Sequence, residues 1–211
     1  MLNIPKQQVQ RTLPPEGTHF AHVYQLIHIG TVPYVWQGEE KMRNKVRIGF
    51  ELTEEKHVFK DGEEAKPFVI SSSYTLSLGE KSNLRPIVEG ILGKKLTEEE
   101  IEHFDLESII GKSCLVSVIY AKSQNGTLYA NIASTSPLVK GMAISPQINN
   151  SFVLTYGDNW NQKNFDSLPD FLKEEMRTSS EYQTKFSQTT AHDLEDIDYG
   201  NETINPDDIP F

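Results

Sequence analysis

The chain has 211 residues, 37% of them hydrophobic and 24% charged, with a formal net charge of −10. That length suits one domain of ordinary size with extras. No apolar run approaches the roughly 20 residues of a membrane helix, the N-terminal MLNIPKQQVQRTLPPEG lacks the apolar stretch of a secretory signal, and the single Cys114 excludes an internal disulfide.

In chain order, Thr18–Val32 is predicted to be a strand, rich in β-branched and aromatic residues without a helical period. PYVWQGEEKMRN reads as a loop. Lys45–Leu52 alternates cleanly, with Val46, Ile48, Phe50 and Leu52 set against Lys45, Arg47, Gly49 and Glu51. A charged connection with the turn pair Asp61-Gly62 leads to a third strand, Pro67–Leu78. The period then changes: Leu84, Ile87, Val88, Ile91 and Leu92 are spaced for a helix, Thr97 and Glu100 form a capping-box signature, and Gly111 closes the helical stretch. Two strands follow, Ser113–Ala121 and Thr127–Ser136, joined around Asn125-Gly126, with Cys114 expected as a small core residue. Three strands, a helix and two strands is the element order of the OB-fold, a five-stranded Greek-key barrel.

Past Pro137 only SFVLTY reads as a strand. Phe165, Leu168, Phe171, Leu172 and Met176 recur at helical spacing, so one short helix is expected there. From residue 179 the chain is polar and acidic and is expected to be disordered. The resulting organisation is a mainly β OB-fold domain over 1–157, a helical extension over 158–178 and an acidic tail over 179–211.

The charge divides along the same line. Residues 1–157 hold 16 Lys/Arg and 17 Asp/Glu, whereas residues 158–211 hold 4 and 13, and the last Lys or Arg is Lys185. A near-neutral body can present a basic groove even though the whole chain is acidic.

No enzymatic motif stands out. His19, His22 and His28 lack the Cys or His partners of a zinc site. DLEDIDYGNE departs from a calcium loop at its glycine and final glutamate, and there is no phosphate loop, nucleophile elbow or HExxH. No catalytic residue, metal or cofactor is expected. Aromatic and basic residues are interleaved on predicted strands, the pattern that stacks bases and tracks phosphates of single-stranded nucleic acid. Stacking candidates are Tyr24, Tyr34, Trp36, Tyr74, Tyr120 and Tyr129, although a strand tyrosine can equally be core. Phosphate candidates are Lys41, Arg43, Lys45, Arg47, Lys81, Arg85 and Lys122. The densest stretch is WQGEEKMRNKVR, Trp36 to Arg47.

The final residues, Asp207-Asp208-Ile209-Pro210-Phe211, follow an acidic approach. They resemble the C-terminal tip of bacterial single-stranded DNA-binding proteins. The body, through KVRIGFEL, PFVISSSYTLSLGEKSNLRPIVEGILG, GKSCLVSVIYAKSQNGTLYANIASTSPL and FDSLPDFLKEEMRTSSEYQ, resembles a family of phage-encoded single-stranded DNA-binding proteins. The resemblance implies an OB-fold core that coats single-stranded DNA in the host cytoplasm. It also implies a tip, Asp207, Asp208, Ile209, Pro210 and Phe211, that recruits replication, recombination or repair proteins. A partner with an apolar pocket for the Phe211 ring and cations for its carboxylate and for Asp207 and Asp208 would read such a tip. No membrane association is expected, and a homo-oligomer is left open. The alternatives are an OB-fold RNA-binding or recombination-mediator module, or a nuclease built on the clustered carboxylates.

Overall fold

A computed structural model describes residues 12–123, 125–157 and 160–195. It is mainly β. Six strands form one sheet: β1 (Gly17–Trp36), β2 (Glu39–His57), β3 (Lys66–Thr75), β4 (Ser113–Lys122), β5 (Leu128–Ser136) and β6 (Phe152–Leu154). The path runs β3-β2-β1-β4-β5 with antiparallel neighbours, and β6 pairs parallel with β1.

The alternation read in β2 holds: Val46, Ile48, Phe50 and Leu52 are buried together with Ala21, Val23 and Leu26 of β1 and Val116 and Val118 of β4. Cys114 lies in the same cluster, where burial pushes its thiol up to about 12, so it packs as a small apolar residue. Helix α1 (Leu84–Leu92) covers this face through Leu84, Ile87, Val88 and Ile91 and ends at Gly93 in the left-handed conformation. Gly90 is required by close approach. A Cβ there would lie 2.2 Å from the Thr135 carbonyl oxygen of β5, whose own hydroxyl donates to the Ile87 carbonyl at 2.7 Å. Helix α2 (Glu98–Glu102) starts at Thr97 with the reciprocal capping box that the spacing predicts.

A second core occupies the opposite face of the sheet. Ile27, Ile29 and Val32 of β1 pack with Leu154, Phe165, Leu168, Leu172 and Met176. Strict alternation would send Val32 to the other side, but the register shifts by one residue between His28 and Gly30, and that bulge brings it back. The helices are α3 (Gln162–Asp166) and α4 (Asp170–Arg177), two elements where the apolar spacing predicts one. Pro169 at the start of α4 has no N–H to continue the first helix.

Three further expectations are revised. Residues 33–44 are not a loop: β1 and β2 continue as a hairpin arm and turn at Gln37-Gly38, both with positive φ (53° and 83°), a two-residue turn whose sequence signals less strongly than Asn-Gly. Residue 157 is no boundary between packed units, because Leu154 and Tyr156 pack with α3 and α4. The segment from residue 179 does not begin a disordered tail: α5 (Ser180–Glu195) is a helix. Buried Ser179 accepts from the Tyr182 amide at 3.2 Å, and Glu181 accepts from the Thr31 amide at 2.6 Å and hydroxyl at 2.7 Å. Tyr182 and Phe186 join the rings of Trp160 and Phe165. Low average hydrophobicity concealed a few anchors that dock onto an existing surface. Residues 196–211, including the expected tip, lie outside the described residues. Among the described residues no helix is long and apolar enough to cross a membrane.

Candidate nucleic-acid interface

In a strand every second side chain points the same way, and β2 places Lys41, Arg43, Lys45 and Arg47 at that interval. Pairing fixes which face they occupy. Lys41 lies opposite Tyr34, Arg43 opposite Val32, Lys45 between Gly30 and Thr75, and Arg47 between Ile27 and Ser73. This is the face of the second core. Helices α3 and α4 cover its β1 portion, and the cations of β2 stand beside the hydroxyls of β3 next to them.

Arg47 donates to the Ser71 hydroxyl at 2.6 Å and the Ser73 hydroxyl at 3.2 Å. Burial lowers its guanidinium, opposed by the Glu175 carboxylate and by Tyr24 and Tyr74, and it stays a cation at neutral pH. The Arg43 guanidinium lies over the Tyr34 ring, 3.9 Å from its centroid, an arrangement that holds a planar cation in place. Lys45 pairs with Glu175 of α4.

These cations open onto a groove of about 1250 Å³ running between β3 and β5. Its walls are Ser71–Thr75 and Tyr129–Ser134, and its end is the 77–83 loop with Lys81. The Ser72 hydroxyl spans the walls to the Asn131 side-chain oxygen at 3.4 Å. Tyr74 lines the groove while packing against the first core, and burial pushes its phenol up to about 12, so it is neutral. Tyr129 on the opposite wall is 43% exposed. The groove therefore combines cations for phosphate, hydroxyls and amides for polar edges, and rings at its sides, the chemistry of a single-strand track.

Of the residues predicted from sequence, Arg43, Lys45, Arg47, Tyr74, Lys81 and Tyr129 are brought together along this groove. Tyr34, Trp36 and Lys41 lie outside this lining, on the hairpin arm of β1 and β2. Trp36 is half exposed near the tip, and Lys41 pairs with Glu39 at 3.2 Å. Lys122 stands at the far end of β4, opposite Leu128 and outside the groove lining.

Two candidates serve other ends. Arg85 is bound by Glu89 at 3.1 Å, Glu98 at 3.3 Å and the Leu96 carbonyl at 3.0 Å, so it stitches α1 to α2. Tyr120 donates to the Pro14 carbonyl at 3.2 Å and holds the leader segment. Tyr24 is also drawn inward: burial raises its phenol, and Gly49 leaves it room, since a Cβ there would lie 3.1 Å from the ring. The histidines have structural partners: His19 bonds Pro15 and Glu55, His22 bonds Ser113 and Ser145, and His28 bonds Asn44.

Sequence reasoning misses Ser71, Ser73, Asn131, Phe171 and Glu175. The two serines are legible as the polar side of an alternating strand. Asn131 becomes part of the site only because β5 comes to face β3. Phe171 belongs by spacing to the apolar row of its helix, yet it is 56% exposed while Phe165 is 1% exposed. Compared with known proteins, the chain matches no protein-family model and no curated protein sequence.

Proposed function

We propose that this groove binds single-stranded DNA without sequence preference and that the sheet is the barrel of an OB-fold. The observation that carries the reading is the period-two row Lys41, Arg43, Lys45 and Arg47, of which the last three line a groove walled by Tyr74 and Tyr129. The strand path β3-β2-β1-β4-β5, with α1 between β3 and β4, supports the barrel assignment. The resemblance of the body to phage single-stranded DNA-binding proteins supports the ligand. The acidic Asp207-Asp208-Ile209-Pro210-Phe211 tip supports a second role, capture of replication, recombination or repair proteins.

Phosphate contacts release counterions, so binding should weaken steeply as salt rises. The test is equilibrium titration of the full chain with single-stranded DNA, duplex DNA and single-stranded RNA at several salt concentrations. Tight, salt-sensitive binding to single-stranded DNA of any sequence is the expected result. A preference for duplex overturns the reading, a preference for RNA turns it into an RNA-binding module, and magnesium-dependent cleavage of the oligonucleotide turns it into a nuclease.

A further inference from the structure

Helix α4 presents two neighbouring rows, each of two residues one turn apart. Leu172 and Met176 are buried against β1 and anchor the helix. Phe171 and Glu175, one position earlier on each turn, form the neighbouring row. That row stands beside the cations of β2: Glu175 pairs with Lys45, and the Phe171 ring centroid is 5.8 Å from the Arg47 guanidinium. Glu175 is also the leading charge influence on Arg47. With Lys41 on Glu39, three of the four cations in the proposed track therefore already face a carboxylate of their own chain, and Lys45 and Arg47 share Glu175. The aromatic ring next to that carboxylate is left more than half exposed.

We propose that the Phe171–Glu175 row of α4, which lies beside the groove lining and meets it through Lys45 and Arg47, is its selectivity element, with Glu175 holding the place of a phosphate over Lys45 and Phe171 offering its ring to an unpaired base. The inference rests on the nucleic-acid reading above and adds to it what rejects duplex DNA. Any nucleic acid entering the track must displace the Glu175 carboxylate from Lys45, which opposes binding of every polyanion alike. A single strand recovers that loss, because a free base can stack on Phe171 beside the Arg47 guanidinium. Bases of a duplex are already stacked on one another and have no face to offer. The duplex meets the carboxylate and gains nothing from the ring.

The test uses the full chain and the variants Glu175→Gln, Phe171→Ala and Phe171→Trp, titrated with an oligothymidylate and with a duplex of matched length. Thermal unfolding is followed in parallel. Glu175→Gln should tighten both ligands by about the same factor, roughly threefold, and leave the preference for single strand unchanged, because the carboxylate opposes both alike; the salt slope should steepen by roughly 0.7, one phosphate contact. Phe171→Ala should weaken the single strand about tenfold and leave the duplex unchanged, and Phe171→Trp should restore it. If Glu175→Gln weakens both ligands equally and lowers the melting temperature, the ion pair is only a tether for α4 and the inference fails. Tight single-strand binding whose preference is unchanged in all three variants also overturns it while leaving the groove assignment intact. A wild-type chain that binds no single strand overturns both.

Discussion

Glu89 on α1 is 6% exposed and accepts from Lys95 at 2.8 Å, from the Leu96 amide at 3.1 Å and from Arg85 at 3.1 Å. The Lys95 ammonium first, then the Leu96 amide and the Arg85 guanidinium, hold its carboxyl down at about 2. Because the folded value lies below the unfolded one, its stabilisation is fully present above pH ~4.5 and is lost as the pH falls toward 2. Glu89→Gln should destabilise the protein by about 1–3 kcal/mol at neutral pH. Denaturant unfolding of both proteins should show that gap constant down to about pH 5 and closing below it. Arg43 and Arg47 carry the corresponding test at the groove. Replacing both by Ala should weaken binding to all single-stranded sequences about equally and flatten the salt slope by roughly 0.7 for each phosphate left without its cation. A double variant that binds as the wild type would move the groove elsewhere.

Among the elements, the hairpin arm and α5 are the two that composition conceals. The arm reads as a loop because its residues are charged, yet charge on alternate positions is what one solvent-facing side of a ribbon looks like. Trp36 near its tip should be quenched when a base stacks on it. Trp160 is packed among Tyr156, Phe165, Tyr182 and Phe186, so its emission reports on the second core. In a Trp160→Phe background, titration with single-stranded DNA should quench the remaining signal, and an unchanged signal at saturation would remove Trp36 from the binding surface. Helix α5 is secured at its first turn, where Glu181 meets Thr31. Burial favours protonation of that carboxyl, but the Thr31 amide and hydroxyl outweigh it and hold the group below its ordinary range. Gly30 makes the approach possible: its φ is +96° and a Cβ would lie 2.7 Å from both Ser179 and Glu181. Gly30→Ala should therefore destabilise the fold by about 1–3 kcal/mol and red-shift Trp160 emission as α5 lifts away.

For the molecule as a whole, the proposed DNA binding and the charge division together predict a competition. Beyond α5, residues 196–211 hold five Asp/Glu and no Lys or Arg, in a chain whose β2 carries a row of cations. Groups joined in one chain meet at effective concentrations on the order of millimolar where the connection spans the distance. Removing residues 196–211, which leaves α5 in place, should raise affinity for single-stranded DNA, most visibly at low salt where screening is weak. Deleting Phe211 alone removes the terminal ring and almost no charge. It should leave DNA affinity near wild type while abolishing capture of a partner that reads the tip, and intact capture would show that the ring is not the recognition element.

Sequence alone determined whatever depends on neighbours along the chain. The period-two alternation of Lys45–Leu52 fixed its buried side and set Lys45 and Arg47 on the other, the Thr97–Glu100 spacing fixed a cap, and the apolar row 84, 87, 88, 91 fixed α1. Each is a local periodicity, and burial of one face enforces it. Tertiary structure decided what depends on residues far apart in the chain. The one-residue shift at Gly30 chose which face Val32 joined, and the ion pairs that join α1 to α2 took Arg85 out of the phosphate candidates. The approach of β5 to β3 made Asn131 part of a groove, and the docking of α4 put Glu175 on Lys45 and left Phe171 in solvent. A charged or aromatic side chain has the same sequence signature whether it meets a ligand or a partner in its own chain, because that choice is made by distances that only packing sets.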